Sequence, residues 1–224
     1  MPTLEEKQVY FDQYWQAQPD AKTDPRSFQR AGMVHRLLSK ESGKLFDLGC
    51  GRGVILDYFA GLGFEVTGSD ISPEIITMVT QKGHRAMILD IERDEPYEKY
   101  DVILCLEVLQ QLYYPRRALK RLKDALNDDG EMVISVPNEF HIVSRLKILL
   151  GRSHLGHFDH SHVRLFAPSR DRELFEKINL TVVGRRYVPI IPPTWKILTK
   201  LFMPLTQLFP SLLAIASIYK LRRL

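Results

Sequence analysis

The sequence is poor in cysteine, with two cysteines in 224 residues. Cys50 and Cys105 each lie inside an apolar stretch, and their spacing matches neither a metal site nor a disulfide framework. We interpret them as buried thiols in a reducing compartment. The N-terminal stretch MPTLEEKQVYFDQYW carries acids and lacks the apolar core of a secretory signal, so we expect a cytoplasmic protein.

A large charge surplus is also missing, because the formal net charge is only +4 and the sequence pI is about 9.0. This mild excess suits an anionic partner, such as a nucleic acid, a phosphorylated substrate or a membrane surface, but does not choose among them. The chain has no internal repeat. Its length allows one well-buried domain and is too short for two of ordinary size.

Short apolar runs alternate with helical patterns along most of the chain, which predicts crossover units and a largely parallel sheet. We predict helices near 53–61, 72–82, 115–127, 139–150 and 168–178. We predict strands near 44–48, 65–70, 85–90, 100–105, 130–136 and 180–191, and a last strand near 211–221.

A glycine-rich turn follows the first predicted strand, in the stretch LFDLGCGRGVIL. Gly49, Gly51 and Gly53 alternate there after Asp47, and glycine at such a turn accepts positive φ and lets a ligand approach the backbone. A dinucleotide fingerprint, G-x-G-x-x-G/A, would place its last small residue at Val54. The third glycine arrives one residue earlier, which disfavours an NAD-dependent oxidoreductase.

The pattern D-x-G-x-G-x-G, followed by an acid at the end of the next strand in VTGSD, resembles the class I S-adenosylmethionine-dependent methyltransferases. The stretches ILDIE, YDVILCLEVLQQL, GEMVISVPNEF and HVRLFAPSRDRELFEKINLTVV are also similar to that family, so the likeness spans about residues 28–190. The relatives in question act on small molecules such as quinone precursors and envelope sugars. In them a histidine commonly stands where this chain has Gln111.

The resemblance implies an α/β fold: a Rossmann-like, doubly wound, mostly parallel seven-stranded sheet with helices on both faces. An N-terminal helical lid and a C-terminal helical elaboration would complete a single methyltransferase domain over residues 1–224. Within it we expect a lid at 1–40, a cofactor-binding core at 41–138, and an acceptor-side region at 139–224 with a loop, helices and the last two strands.

The resemblance also implies that S-adenosyl-L-methionine is the cofactor. Asp70 would bind the ribose hydroxyls, while Asp90 and Ile91 would hold the adenine. Leu106 would lie beside the methionine part. The complete set of expected cofactor-binding residues is Asp47, Gly49, Cys50, Gly51, Gly53, Asp70, Ile71, Asp90, Ile91, Leu106, Tyr14 and Arg30, with no metal ligand.

The N-terminal stretch VYFDQYW places four aromatic residues, Tyr10, Phe11, Tyr14 and Trp15, on neighbouring turns of a predicted helix. Such a stripe is more often core than ligand box. In similar enzymes, however, this segment closes over the cofactor and excludes water. The resemblance further implies that Arg30 meets the methionine carboxylate.

Four histidines lie close together in RSHLGHFDHSHVRLF, on a loop expected to flank the acceptor pocket. Methyl transfer to a hydroxyl group needs a proton acceptor, and histidine suits that role near neutral pH. His162, at the position of an H-x-R-x-F segment in the family, is the first candidate for the catalytic base, and His160 is the second. Ordinary surface histidines, or a metal site with Asp159, are the alternatives.

The C-terminal segment is rich in large apolar residues, yet prolines interrupt it too often for the roughly 20 continuous apolar residues of a membrane-spanning helix. One interpretation is a helix over 195–209 that covers the acceptor pocket. The other is an amphipathic element that rests on a membrane or grips a lipidic acceptor, with basic residues favouring anionic headgroups.

Together these features predict a methyltransferase that acts on a small molecule, and we expect the methylated atom to be a hydroxyl oxygen. Lipidic and sugar-linked molecules are among the candidate acceptors. A non-catalytic nucleoside-binding protein of the same fold is the alternative. A nucleic-acid substrate is disfavoured, because the strand-four stretch CLEV lacks the motifs typical of base methylation. The sequence leaves the oligomeric state open.

Overall fold

The computed structural model describes residues 2–17, 25–152 and 162–224. Its strands are β1 (Gly43–Leu48), β2 (Phe64–Asp70), β3 (Arg85–Ile88), β4 (Tyr100–Leu106), β5 (Leu126–Pro137), β6 (Leu180–Pro189) and β7 (Ala214–Arg223). Its helices are α1 (Leu4–Ala17), α2 (Pro25–His35), α3 (Val54–Ala60), α4 (Pro73–Gln81), α5 (Pro115–Asp124), α6 (Ile142–Leu149), α7 (Asp171–Glu176), α8 (Lys196–Leu208) and α9 (Pro210–Leu213).

The strands form one sheet in the order β3-β2-β1-β4-β5-β7-β6. Strands β1 to β5 are parallel, and β7 runs antiparallel between β5 and β6. The predicted Rossmann-like, mostly parallel seven-stranded sheet is confirmed. Ligands of such sheets bind beyond the carboxyl ends of the parallel strands.

The two faces of the sheet bury alternate residues of the same strands. Phe46 and Ile103 point into one hydrophobic cluster, while Leu45 and Leu104 point into the other. This period of two, with apolar residues at both phases, is the signature of a sheet covered by helices on both faces. The helices on one face include α5, which buries Leu119.

Several predicted boundaries differ from the structure for local reasons. Strand β3 ends at Ile88, because the chain turns at Asp90, whose carbonyl accepts bonds from the N–H groups of Arg93 and Asp94. Strand β5 begins four residues before the predicted start, since Leu126 pairs with Tyr100 ahead of an irregularity in the ladder.

The C-terminal elements return to the edge of the sheet where the parallel strands end. Pro137, the last residue of β5, lies beside Ala216, and Pro189, the last of β6, lies beside Ala214. Helices α6, α8 and α9 therefore all leave from this edge. No helix within the described ranges is long and apolar enough to cross a membrane.

Candidate active site

A cavity of about 890 Å³ opens at the carboxyl ends of β1, β2 and β4, beneath α1. Most of the residues that the sequence nominates meet there. Those that line it are Tyr14, Arg30, Asp47, Gly49, Cys50, Gly51, Asp70, Ile71, Asp90, Ile91, Leu106 and His162.

Gly53 is the exception among the nominated residues that the structure describes, because it is absent from the cavity lining. It stands at the N-cap of α3 with φ +78°. Its N–H bonds to the carbonyl of Cys50 at 3.0 Å, which closes the turn between β1 and α3. The backbone conformation of the turn therefore requires glycine at position 53.

The other two glycines combine positive φ with a close approach by the protein's own side chains. Gly49 has φ +72° and Gly51 has φ +48°. A Cβ added at Gly49 would lie 2.5 Å from Val108, and one added at Gly51 would lie 2.5 Å from Cη2 of Trp15. The turn thus packs against α1 as well as facing the cavity.

Two buried carboxylates, Asp47 and Asp70, stand at the ends of β1 and β2. Burial, reinforced by the negative charge of Asp70, raises the pKa of Asp47 to about 8, and Arg30 partly opposes the rise. Burial also raises the pKa of Asp70. The Asp70 carboxylate accepts bonds from the N–H groups of Gly51 and Ser72, each at 3.1 Å.

The third acid of the site, Asp90, is tied to α1. Its Oδ2 lies 2.8 Å from Nζ of Lys7, and the same ammonium lies 3.0 Å from Oε2 of Glu92. Oδ1 of Asp90 accepts the N–H of Glu92 at 3.1 Å. All three side chains are buried, so this ion cluster fastens the first helix over the far end of the cavity.

Arg30 enters the cavity from α2 and faces the end of β4. Its Nη2 lies 4.0 Å from Oε1 of Glu107, a residue held at φ +60° directly after Leu106. Its Nε is buried and has no hydrogen-bond partner in the described part of the chain. An unpaired donor of this kind fits an anionic group of a bound ligand.

The aromatic stripe of α1 faces the cavity, and its role as a lid stays a prediction. Tyr10, Phe11, Tyr14 and Trp15 all line it, and successive rings meet edge to face. Burial raises the pKa of Tyr14, with smaller contributions from Tyr10 and from nearby acids, so its hydroxyl stays protonated near neutral pH.

Cys50 has an inert thiol. Burial raises its pKa well above the ordinary value, and the neighbouring negative charges of Asp47 and Asp70 act in the same direction. The thiol is therefore neutral at physiological pH and is not a nucleophile. Its position in the glycine-rich turn makes it part of the cavity wall.

His162 lines the same cavity as the residues of α1. Its Nδ1 is 2.6 Å from Oε1 of Glu139, and the side chains of these residues are 21% and 7% exposed. Backbone bonds from Val163 and Arg164 to the carbonyl of Gln110 hold this part of the chain against the segment after β4. The second histidine candidate, His160, lies outside the described residues, as do His154, His157 and Asp159.

Glu139, Lys7 and Glu107 are among the site residues that sequence reasoning missed. Glu139 follows β5 in the quoted stretch GEMVISVPNEF, and an acid just after a parallel strand was the available signal. Lys7 gave no signal, because an isolated lysine on a helix is normally solvated. Gln111, where similar enzymes commonly have histidine, also lines the cavity.

The helix predicted over 195–209 forms as α8, but no residue of α8 is among those that line this cavity. The helix packs instead on β6, where Gln207 bonds to both the N–H and the carbonyl of Tyr187. The helix over the acceptor pocket and the membrane or lipid interpretation both stay predictions.

Comparison with known proteins gives one family and a consistent fold. A family model described as a methyltransferase domain matches residues 26–184, which is more than half of the chain. A ubiquinone biosynthesis O-methyltransferase of Shewanella halifaxensis is 26% identical over 162 residues, or 66% of this chain and 68% of that protein. Another from Glaesserella parasuis is 31% identical over 107 residues, which cover 42% and 45% of the two chains.

Two solved structures show the same fold at low sequence identity. Magnesium protoporphyrin IX methyltransferase of Synechocystis, with bound S-adenosylhomocysteine, has a TM-score of 0.69 and 16% identity, and the match covers 99% of this chain and 100% of that one. The 1,6-didemethyltoxoflavin-N1-methyltransferase of Burkholderia thailandensis, with bound 1,6-didemethyltoxoflavin and S-adenosylhomocysteine, has a TM-score of 0.67 and 19% identity, with coverage of 100% and 91%.

Proposed function

The chain belongs to the methyltransferase-domain family, and we propose that it methylates a hydroxyl oxygen of its small-molecule acceptor with His162 as the base. It is an S-adenosylmethionine-dependent methyltransferase of the class I small-molecule type. The observation that carries the proposal is the pairing of His162, on the cavity, with the buried carboxylate of Glu139.

The residues around the cavity fit the donor. Asp70 would accept hydrogen bonds from the ribose hydroxyls. Asp90 and Ile91 would border the adenine. The unpaired Nε of Arg30 offers a bond to the carboxylate of the amino-acid end. When bound, S-adenosylmethionine supplies a methyl group that is activated by its positively charged sulfur.

The Glu139 carboxylate prepares His162 to accept a proton. By accepting a hydrogen bond from Nδ1, Glu139 leaves the lone pair of the neutral ring on Nε2. With the donor bound, Nε2 would accept the proton of the acceptor hydroxyl as its oxygen is methylated, and the donor would leave as a neutral thioether that keeps the electron pair of the broken bond. The buried negative charge of Glu139 stabilises the resulting imidazolium, which then returns the proton to solvent.

We assign the acceptor to the aromatic hydroxyl compounds of quinone-precursor type, with an apolar or lipidic substituent. The aromatic side chains of Tyr10, Phe11 and Tyr113 in the cavity wall support a flat, apolar ring. The names of the relatives point the same way. For such an acceptor we further propose a cytoplasmic protein with its C-terminal segment in peripheral contact with a membrane.

A methyl-transfer assay with labelled donor and a panel of catechols, with and without an isoprenyl chain, tests this proposal. We expect an O-methylated catechol, and we expect His162→Asn to lower kcat by about 10²–10⁴-fold while S-adenosylhomocysteine binds as before. His84→Asn is the matched control, because Nε2 of His84 also lies 2.6 Å from a carboxylate, that of Asp57, away from the cavity.

Two results would overturn the proposal. Full turnover by His162→Asn would remove the histidine from the chemistry. Methylation of amine analogues, with none of the catechols used, would show that the acceptor atom is not oxygen.

A further inference from the structure

Helix α8 exposes its apolar side, which is the reverse of an ordinary surface helix. Its apolar residues Ile197, Leu201, Leu205 and Leu208, spaced at i, i+4, i+8 and i+11, are 80%, 66%, 44% and 68% exposed. This spacing places them on one side of the helix, the stripe that in a globular protein normally faces the core. We call these four residues the outer face of α8.

The inward side of α8 is polar. Thr199 and Thr206 are buried, and their hydroxyls donate to the carbonyls of Pro192 and Phe202. Gln207 also points inward, to the backbone of β6. Because the two bonds of Gln207 to Tyr187 fix which side of the helix faces the sheet, turning the outer face inward would leave the amide of Gln207 and the backbone groups of Tyr187 without these partners.

The charged residues of α8 itself have one sign. Lys196 and Lys200 lie exposed on α8, and the sequence has no acidic residue after Glu176. Helix α6 repeats the pattern, since it carries Arg145 and Lys147, no acid, and a leucine, Leu149, that is 81% exposed.

Both helices lie at the edge of the sheet where the active site opens. Helix α6 begins three residues after Glu139, the partner of His162, and Arg145 bonds to the carbonyl of Ser211 in α9. Helix α8 follows the end of β6 at the same edge. A surface that contacts these two helices therefore lies at the same edge of the sheet as the cavity.

From this arrangement we infer that the outer face of α8, with α6 beside it, docks on an anionic lipid bilayer. The four apolar side chains enter the boundary between headgroups and acyl chains, and the lysines remain among the anionic headgroups. The inference deepens the proposed function, on which it rests for its role: a lipidic acceptor would pass from the bilayer to the cavity without crossing water.

Co-sedimentation of the full chain with two kinds of vesicle tests the inference. We expect binding to vesicles of phosphatidylcholine with phosphatidylglycerol, weak binding to phosphatidylcholine alone, and loss of affinity as salt rises. The double substitution Ile197→Ser/Leu201→Ser should abolish binding, and Lys196→Glu/Lys200→Glu should weaken it by about tenfold or more.

Matched controls separate the surface from general apolarity and charge. Arg117→Glu/Lys120→Glu makes the same charge change on exposed positions of α5, and Tyr97→Ser removes an exposed aromatic ring elsewhere. Both should bind vesicles as the parent does. Circular dichroism and S-adenosylhomocysteine binding should be unchanged in all variants, which shows that each is folded.

Three outcomes would overturn the inference. The first is that the protein does not bind anionic vesicles. The second is that the α5 double substitution abolishes vesicle binding while the α8 substitutions leave it unchanged. The third is a dimer in light scattering that Ile197→Ser/Leu201→Ser dissociates, with no vesicle binding, because a second copy would then cover the face. Methyl transfer to a water-soluble catechol would continue in each case, so these failures differ from a failure of the proposed function.

Discussion

Asp47 makes the stability of the protein depend on pH in an unusual direction for a carboxylate. Its pKa rises from an ordinary 3.8 in the unfolded chain to about 8 in the fold, so between these values the folded state holds a proton that the unfolded state has released. The free energy of unfolding should therefore fall as pH rises from about 4 to 8.

The substitution Asp47→Asn tests this dependence. We expect the free energy of unfolding of the parent protein to fall by on the order of a few kcal/mol between pH 4 and 8 because of Asp47. In the variant, the free energy of unfolding should depend less steeply on pH. Urea unfolding at several pH values measures it. A parent profile that rises over this range, or an unchanged slope in the variant, would contradict the assignment.

Glycine at position 51 is needed both for its positive φ and for the close approach of Trp15. A control substitution at a second glycine distinguishes these two requirements. Gly51→Ala adds a Cβ at φ +48° that meets Trp15 at 2.5 Å, whereas Gly63→Ala adds one at φ +92° with nothing within 4 Å. Both suffer backbone strain, of order 1–3 kcal/mol. Only Gly51→Ala should also displace α1 and weaken S-adenosylhomocysteine binding, measured by calorimetry.

Equal S-adenosylhomocysteine affinities for the two glycine variants would mean that the approach of Trp15 has no role. The added substitution Trp15→Ala should recover part of the stability lost in Gly51→Ala, because it removes the atoms that clash. At this scale the sequence predicted that glycine was needed at the turn. It could not predict that the nearest atoms belong to α1, since that contact joins residues 36 positions apart.

Helix α1 is held to the domain by a few specific contacts rather than by a large apolar face. Lys7 is its one buried residue in the structure, and the ammonium pairs with Asp90 and Glu92. Near the other end, Arg52 donates to the carbonyl of Trp15 at 2.7 Å. An element attached in this way opens at a lower free energy than the core.

We expect Lys7→Met to release α1. The variant leaves Glu92 without its buried cation and Asp90 with Arg93 alone, 3.4 Å away. Breaking a buried ion pair in this way costs about 3–5 kcal/mol when the surroundings cannot relax. Hydrogen exchange of residues 4–17 should accelerate, and S-adenosylhomocysteine should bind more weakly. In the control Lys40→Met, the lost partner is the exposed Asp129, so neither quantity should change. Unaltered exchange in Lys7→Met would rule out the fastening role.

For the whole molecule, the sheet and the donor could be predicted from the sequence and the acceptor side could not. The glycine-rich turn and the acid of VTGSD are local patterns, and the structure brings Gly49, Gly51 and Asp70 to one cavity. The pairing of His162 with Glu139 joins two segments 23 residues apart, and no local spacing encodes it.

The C-terminal region shows the limit of periodicity as a guide. The apolar stripe of α8 correctly predicted a helix, but periodicity cannot tell which side faces the core. The bonds of Gln207 to the backbone of Tyr187 decide that question, and they depend on the position of β6. The helix consequently packs on β6, and none of its residues is among those that line the cavity.

The central claim is that this cavity binds the donor through the glycine-rich turn, and a thermal-unfolding comparison tests it most directly. The account predicts that S-adenosylhomocysteine raises the melting temperature, with a stabilisation of about 2.7 kcal/mol at 100 times its Kd, and that NAD at the same concentration does not. A shift with NAD alone, or no shift with S-adenosylhomocysteine, would contradict it.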